Sequence, residues 1–446
     1  MELRLPATLR RGVDGDVRVV SPGDELTADS TVLVVGASLA GWRAVETLRA
    51  EGFDGKISLI GEEQHLPYDR PPLSKQVLAG TWPPEKAVLA DRRRSSEHRV
   101  HEVLGRRAVR LDAESRKVEI DDGTILEGDG IVITTGARPR ALPGTEGLGQ
   151  RDGLFTLRTL DDSLALRAAV TAVDEARVIV IGAGFIGAEV ASTCAELGCR
   201  VTVLEALDVP LRNVLGPLIG SHFASLHESH RVDLRTGVGV QSVSRVAAGE
   251  RGATPGDTDT GRLVVELSGG ETFHADVVVV GIGVVPTTEW LVDSGLTVDN
   301  GLVCDERLFA ADGIVAAGDI ARWQWRRDGD EELIRIEHWQ VAAEAGVAAA
   351  RSLVAGRADA PAFEPVPYFW SDQYGIRLQV LGSPRGSDEI HIAEGSPEEG
   401  KFLALFGRAG RLRAVMAIGK PRQLMGYRPL LVEGSSWGDA LAHGAG

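Results

Sequence analysis

Twice in this chain a run of β-branched apolar residues feeds directly into a glycine turn that opens a helix-forming segment, at Val32 to Gly41 and again at Val178 to Gly187. The second copy reads IVIGAGFIGAEVA, with Gly182, Gly184 and Gly187 in GxGxxG spacing. Each glycine has its own reason: the first permits a tight turn, the second lets backbone approach a pyrophosphate, and the third lets helix and strand pack closely. Phosphates would then lie at a helix N-terminus, where unpaired N–H groups and the helix dipole favour negative charge. Glu205 closes the following strand in CRVTVLEAL. That is about the 20-residue offset at which a carboxylate takes a ribose 2′-hydroxyl. It would repel a 2′-phosphate, which favours NADH over NADPH.

The first copy, VLVVGASLAGWRAVETL, keeps Gly36 and Gly41 but has Ser38 at the middle position. A serine is compatible with the turn provided that its φ stays negative. The next strand, KISLIGEE, reaches Glu62, a second candidate ribose ligand. Two copies of strand, turn, helix, strand and acid imply two bound dinucleotides.

At 446 residues and 43% hydrophobic content the chain is long enough for two to four domains with full cores. Its apolar runs, such as DVVVVGIGVVP, are short and broken by glycine, so they read as buried parallel strands and not as membrane spans. The first residues hold no continuous apolar stretch of the secretory kind, and there are three cysteines, so a reducing cytoplasmic location is expected. A net charge of −16 argues against binding nucleic acid. Arg92, Arg93 and Arg94 read as a solvated helix face.

Domain organisation follows from the same patterning. Residues 1–30 form an N-terminal extension in which VDGDV separates two alternating segments, either a hairpin or a mobile leader. Residues 31–145 and 275–346 form the first dinucleotide domain, 146–274 the second, and 347–446 a small antiparallel sheet with a C-terminal helix. The fold class is α/β: two Rossmann-like dinucleotide-binding domains, glutathione-reductase-like, plus a C-terminal α+β domain.

An ordered series of segments, VVGASLAG, PYDRPPLSK, TTGARPR, GAGFIGAEVA, GIGVVP, AAGDIA, RIEHWQVAAEAG and FWSDQYG, resembles the FAD-dependent pyridine nucleotide ferredoxin reductases over residues 31–430. That family includes the putidaredoxin, rubredoxin and aromatic-dioxygenase ferredoxin reductases. The resemblance implies FAD on the first Rossmann unit, in contact with Gly36, Ser38, Ala40, Gly41, Glu62, Arg70, Lys75, Val109, Arg138, Asp319 and Trp339. It implies NADH on the second, held by Gly182, Gly184, Ile186, Gly187, Glu189 and Glu205. Thr287 stands after GIGVVP where the family often has Asn.

The implied activity is that of a ferredoxin–NAD(+) reductase: electrons pass from NADH through FAD to a ferredoxin or rubredoxin serving a P450 or a Rieske oxygenase. Lys75 and Glu189 are the implied catalytic pair, Lys75 stabilising the flavin and Glu189 supplying the counter-charge that a buried lysine needs. The partner would be acidic, so Arg322, Arg326, Arg327, Lys420 and Arg422 are candidate docking residues, on a monomer or homodimer.

Two other readings share the architecture: a flavin NADH oxidase or peroxide or disulfide reductase, and a flavin-binding redox-sensing interaction protein. Cys194 and Cys199 have the CxxxxC spacing of disulfide reductases but follow the second glycine turn, away from the flavin turn. Cys304 reads as a buried structural cysteine. His222, His227, Glu228 and His230 read as a surface helix with no metal expected, since His222 and His227 point about 140° apart on a helix.

Overall fold

The computed structural model describes residues 8–11, 17–20, 26–246, 262–327 and 330–444, without the side chains of 8–11, 17–20, 327, 330 and 331. The glycine-rich linker 249–261 lies outside the described residues. In the N-terminal extension Thr8–Arg11 pairs antiparallel with Val17–Val20, the hairpin alternative. Contacts divide the chain into two units: residues 1–69, 88–137 and 286–365, and residues 70–87, 138–285 and 366–446.

In the first unit six strands run in the order Phe309–Ala311, Ile314–Ala316, Gly130–Ile133, Thr31–Val35, Lys56–Gly61, Val100–Leu104. All but the outer Phe309–Ala311 pairing are parallel. Val32, Leu33, Val34 and Val35 are buried, as an all-apolar strand covered on both faces should be. The helix Leu39–Ala50 runs from the glycine turn, and Trp339–Ala355 packs against it. Gly346 allows that approach, since a Cβ there would lie 2.4 Å from the Ala40 carbonyl oxygen.

The second unit repeats the plan with a parallel sheet ordered Leu154–Phe155, Val277–Val280, Arg177–Ile181, Arg200–Glu205, Asp233–Thr236. Phe185–Glu196 is its glycine-turn helix. The same unit holds an antiparallel sheet ordered Tyr368–Gln373, Ile376–Gly382, Arg411–Ile418, Lys401–Arg408, Glu389–Ser396. Phe369, Phe402, Phe406 and Met416 of that sheet pack on Leu215, Ile219 and Phe223 of the helix Arg212–Ser229.

Five expectations need correction. Val277–Val280 pairs with Arg177–Ile181, so it belongs to the second sheet and not with the first domain. Residues 70–87 also group with the second unit. The boundary at 347 would cut the continuous helix Trp339–Ala355, whose alanine-rich sequence has strong helix propensity. The helix bearing HFASLHESH is not a surface helix along its whole length, because the antiparallel sheet covers it and leaves His227 fully buried. After that sheet come three short helices, Pro421–Gly426, Arg428–Glu433 and Trp437–Gly444, where one was expected. Among the described residues no helix is long and apolar enough to cross a membrane.

Candidate functional site

Both glycine turns have the geometry of a phosphate cradle. In the first, a Cβ on Gly36 would sit 2.2 Å from the Thr134 carbonyl oxygen and one on Gly41 2.1 Å from the Gly36 carbonyl oxygen. Neither position tolerates a side chain. Ser38 is the N-cap at φ −132°, the negative φ that lets serine stand there, and its hydroxyl makes no capping bond. The helix has no acid in its first turn, so its free amides face no negative side chain of their own. Ala40 is buried at the start of this helix.

In the second turn a Cβ on Gly182 would lie 2.6 Å from the Gly281 carbonyl oxygen, and one on Gly187 2.1 Å from the Gly182 carbonyl oxygen. Gly184 differs: a Cβ there would meet nothing within 4 Å. The space beside Gly184, the N-cap of the helix Phe185–Glu196, is open. Ile186 is exposed at its rim. Glu205 reaches back into the turn, its Oε2 accepting from the Ala183 amide at 2.7 Å and its Oε1 from the Leu207 amide at 2.9 Å. One lone pair of Oε2 is thus spent on the turn and one of Oε1 on the segment after the strand, and each oxygen keeps further acceptor capacity.

The remaining first-turn candidates are dispersed over both units. Glu62 is exposed at the end of Lys56–Gly61, and Val109 is exposed on Ala108–Asp112. Trp339 begins the helix Trp339–Ala355, and its indole Nε1 donates to Asp69 Oδ1 at 2.8 Å. Burial pushes the Asp69 carboxyl up, against that hydrogen bond and the nearby Arg43 charge. The backbone oxygen of Asp319 accepts from Arg335. Thr287 contributes its backbone, with its amide on the Gly136 oxygen and its carbonyl accepting from Thr135. Arg70 and Arg138 belong to the second unit, Arg70 donating to the Arg158 carbonyl oxygen and Arg138 exposed.

The most tightly built feature is the Lys75–Glu189 pair, 2.9 Å apart and enclosed within the second unit. Glu189 is 3% exposed. Its Oε2 accepts from Lys75 and from the Ser74 hydroxyl, its Oε1 from the Ser371 hydroxyl at 2.8 Å and the Asp372 amide at 3.2 Å. A buried carboxylate is tolerable only when so many donors replace water. Thr193 fixes the Ser74 carbonyl at 2.8 Å, which ties the lysine-bearing segment to the same helix. Ser74, Ser371 and Asp372 escaped the sequence reading. The segments PYDRPPLSK and FWSDQYG that contain them were its only signal.

Cys194 and Cys199 are free thiols at the far end of the Phe185–Glu196 helix from its glycine turn. Interaction with Cys199 and burial push the Cys194 thiol well up, while Cys199 is lowered by its contact with Cys194. Cys304 is buried with its thiol on the Leu302 carbonyl oxygen. Of the candidate docking cations, Arg322 is paired with Asp299 and Lys420 with Glu394, which uses up their charge locally. Arg326 and Arg422 are exposed, and the Arg327 side chain lies outside the described residues.

Two glycine-turn sheets, the second with a buried glutamate on its turn helix that pairs with Lys75, are the plan of an oxidoreductase that uses dinucleotides. The chain belongs to the pyridine nucleotide-disulphide oxidoreductase family, whose model matches residues 30–346, and a reductase C-terminal model matches residues 368–443. It is 35% identical to rhodocoxin reductase of Rhodococcus erythropolis, over 90% of this chain and 89% of that one. It is 36% identical to the ferredoxin–NAD(+) reductase subunit of a benzene 1,2-dioxygenase system of Pseudomonas putida, over 88% and 90%. Among solved structures, that of the covalent putidaredoxin reductase–putidaredoxin complex matches with a TM-score of 0.83 and 31% identity, over 92% of this chain and 94% of that one.

Proposed function

We propose that this chain is an NADH-dependent ferredoxin reductase that delivers electrons singly to a small iron–sulfur protein, a ferredoxin or rubredoxin, in the service of a P450 or Rieske oxygenase. FAD, when bound, supplies the conversion between two-electron hydride chemistry and one-electron transfer. In this reading Gly36, Ser38, Ala40 and Gly41 receive the FAD pyrophosphate, with Trp339, held by Asp69, and Asp319 as further contacts. Gly182, Gly184 and Gly187 receive that of NADH, and Glu205 orients its ribose and rejects a 2′-phosphate.

The observation that carries the reading is the buried Lys75–Glu189 pair. Nucleotide binding alone does not call for an ammonium group held against a carboxylate on the turn helix. An electron-transfer site does: Lys75 supplies positive charge where electrons arrive, and Glu189 orients it. Arg322, Arg326, Arg327, Lys420 and Arg422 are the candidates for steering an acidic partner.

Anaerobic rapid mixing of the FAD-loaded protein with NADH or NADPH, then with an oxidised [2Fe-2S] ferredoxin, tests the whole reading. Rapid bleaching by NADH, slow bleaching by NADPH and subsequent ferredoxin reduction are expected. Bleaching that ends only in reaction with oxygen or peroxide would overturn it.

A further inference from the structure

We infer that Ser371, on the first strand of the antiparallel sheet, is a positioning residue for the Lys75–Glu189 pair. The C-terminal sheet thereby becomes a working part of the redox site. This rests on the reading of the chain as an NADH-dependent flavin reductase.

Ser371 is 1% exposed and its hydroxyl has a single proton to give. Gln373 Nε2 donates to Ser371 Oγ at 3.0 Å, and an amide nitrogen has only protons to offer. The Ser371 proton is therefore committed to Glu189 Oε1, 2.8 Å away. Opposite it, Oε2 carries Lys75 and Ser74. The carboxylate is thus pulled from two sides, and the balance decides how completely it neutralises the ammonium of Lys75. Without Ser371, Oε1 would keep only the longer Asp372 amide bond, at 3.2 Å. The carboxylate's charge would then concentrate on Lys75 and blunt the positive field that Lys75 presents.

The strand has a second, separate anchor on the same helix: the Tyr374 amide donates to Ser192 Oγ at 2.8 Å. This bond touches neither Glu189 nor Lys75. It provides an internal control for anchoring as opposed to tuning, since removing either serine hydroxyl deletes one strand-to-helix hydrogen bond.

The test compares Ser371→Ala, Ser371→Thr and Ser192→Ala as FAD-loaded proteins. It reads the long-wavelength charge-transfer absorbance on anaerobic NADH addition, the flavin midpoint potential, and the limiting rate of flavin reduction with its NADH dependence. A hydrogen bond to a charged group supports an expected loss of about tenfold in limiting rate for Ser371→Ala. A weaker charge-transfer band and a more negative potential are expected with it, and little change in the NADH concentration giving half-maximal rate. Ser371→Thr, which keeps the hydroxyl, should restore all three, and Ser192→Ala should leave all three near wild type. If Ser371→Ala keeps the wild-type potential and band, or Ser192→Ala shifts them equally, the inference is overturned while the functional reading stands. Should Ser371→Ala not fold, a Ser371→Thr protein with the potential and band of Glu189→Gln would overturn it too. If NADH does not reduce the wild-type flavin at all, the functional reading falls, and this inference with it.

Discussion

The two glycine turns differ at their middle residue, and the difference separates what folding demands from what a ligand demands. In both, the outer glycines are fixed by backbone, since a Cβ would meet a carbonyl oxygen at 2.2 and 2.1 Å in the first turn and at 2.6 and 2.1 Å in the second. The middle position carries no such constraint: Ser38 stands at φ −132° in one, and Gly184 faces empty space in the other. The fold therefore leaves the identity of the middle residue open. The helices that follow also diverge. Two residues beyond the last glycine of the motif the first has Arg43, a half-exposed cation paired with Glu46, and the second has the enclosed Glu189.

The sharpest break in the parallel should come from those two helix positions. Glu189→Ala strands Lys75 as an unpaired, mostly buried charge and is expected to cost about 3 to 5 kcal/mol, whereas Arg43→Ala should cost under about 1 kcal/mol, both read from urea unfolding. Next come the outer glycines: Gly41→Ala and Gly187→Ala should each lose about 3 kcal/mol from overpacking against backbone. Equal losses at the two sites would support a shared backbone constraint, and a small loss at either would break it.

A pH dependence belongs to the second unit. Burial, with His230 nearby, pushes His227 down to about 4, and the Tyr374 hydroxyl lies 2.6 Å from its Nδ1. Folding favours the neutral imidazole, so its contribution is complete above the unfolded value near 6.5 and is lost as pH falls towards about 4. Between pH 7 and pH 5 the wild type should lose about 2 kcal/mol from this group, and His227→Gln should flatten that slope. The smallest effects concern the middle positions. Gly184→Ser should change stability by under about 1 kcal/mol yet weaken NADH binding measurably by calorimetry, while Ser38→Gly should lower stability by about 0.5 kcal/mol and leave FAD retained. A Gly184→Ser protein that binds NADH unchanged would show that the second middle position is as permissive as the first.

The glycine turns were legible because each is a local pattern, and the pairing of Lys75 with Glu189 followed from the family resemblance together with the cost of a buried charge. Ser74, Ser371 and Asp372 were not legible as donors. A hydroxyl or backbone amide far along the chain has no spacing signature, and only the fold brings it to Glu189. The strand Val277–Val280 shows the same limit: four valines announce a buried parallel strand, but its pairing with Arg177–Ile181 decides which sheet it joins. The burial of His227 is not legible either, because helical periodicity cannot show that a sheet from residues beyond 366 will cover that face.

The donors to Glu189 come from positions 115 residues before it and 182 residues after it. During synthesis, the Glu189 carboxylate waits through nearly two hundred further residues before its last two partners exist. A prematurely terminated chain lacks the antiparallel sheet, so Glu189 Oε1 is left to water in place of its two donors from that sheet. Assembly of the full donor set around the Lys75–Glu189 pair is thus coupled to completion of the polypeptide.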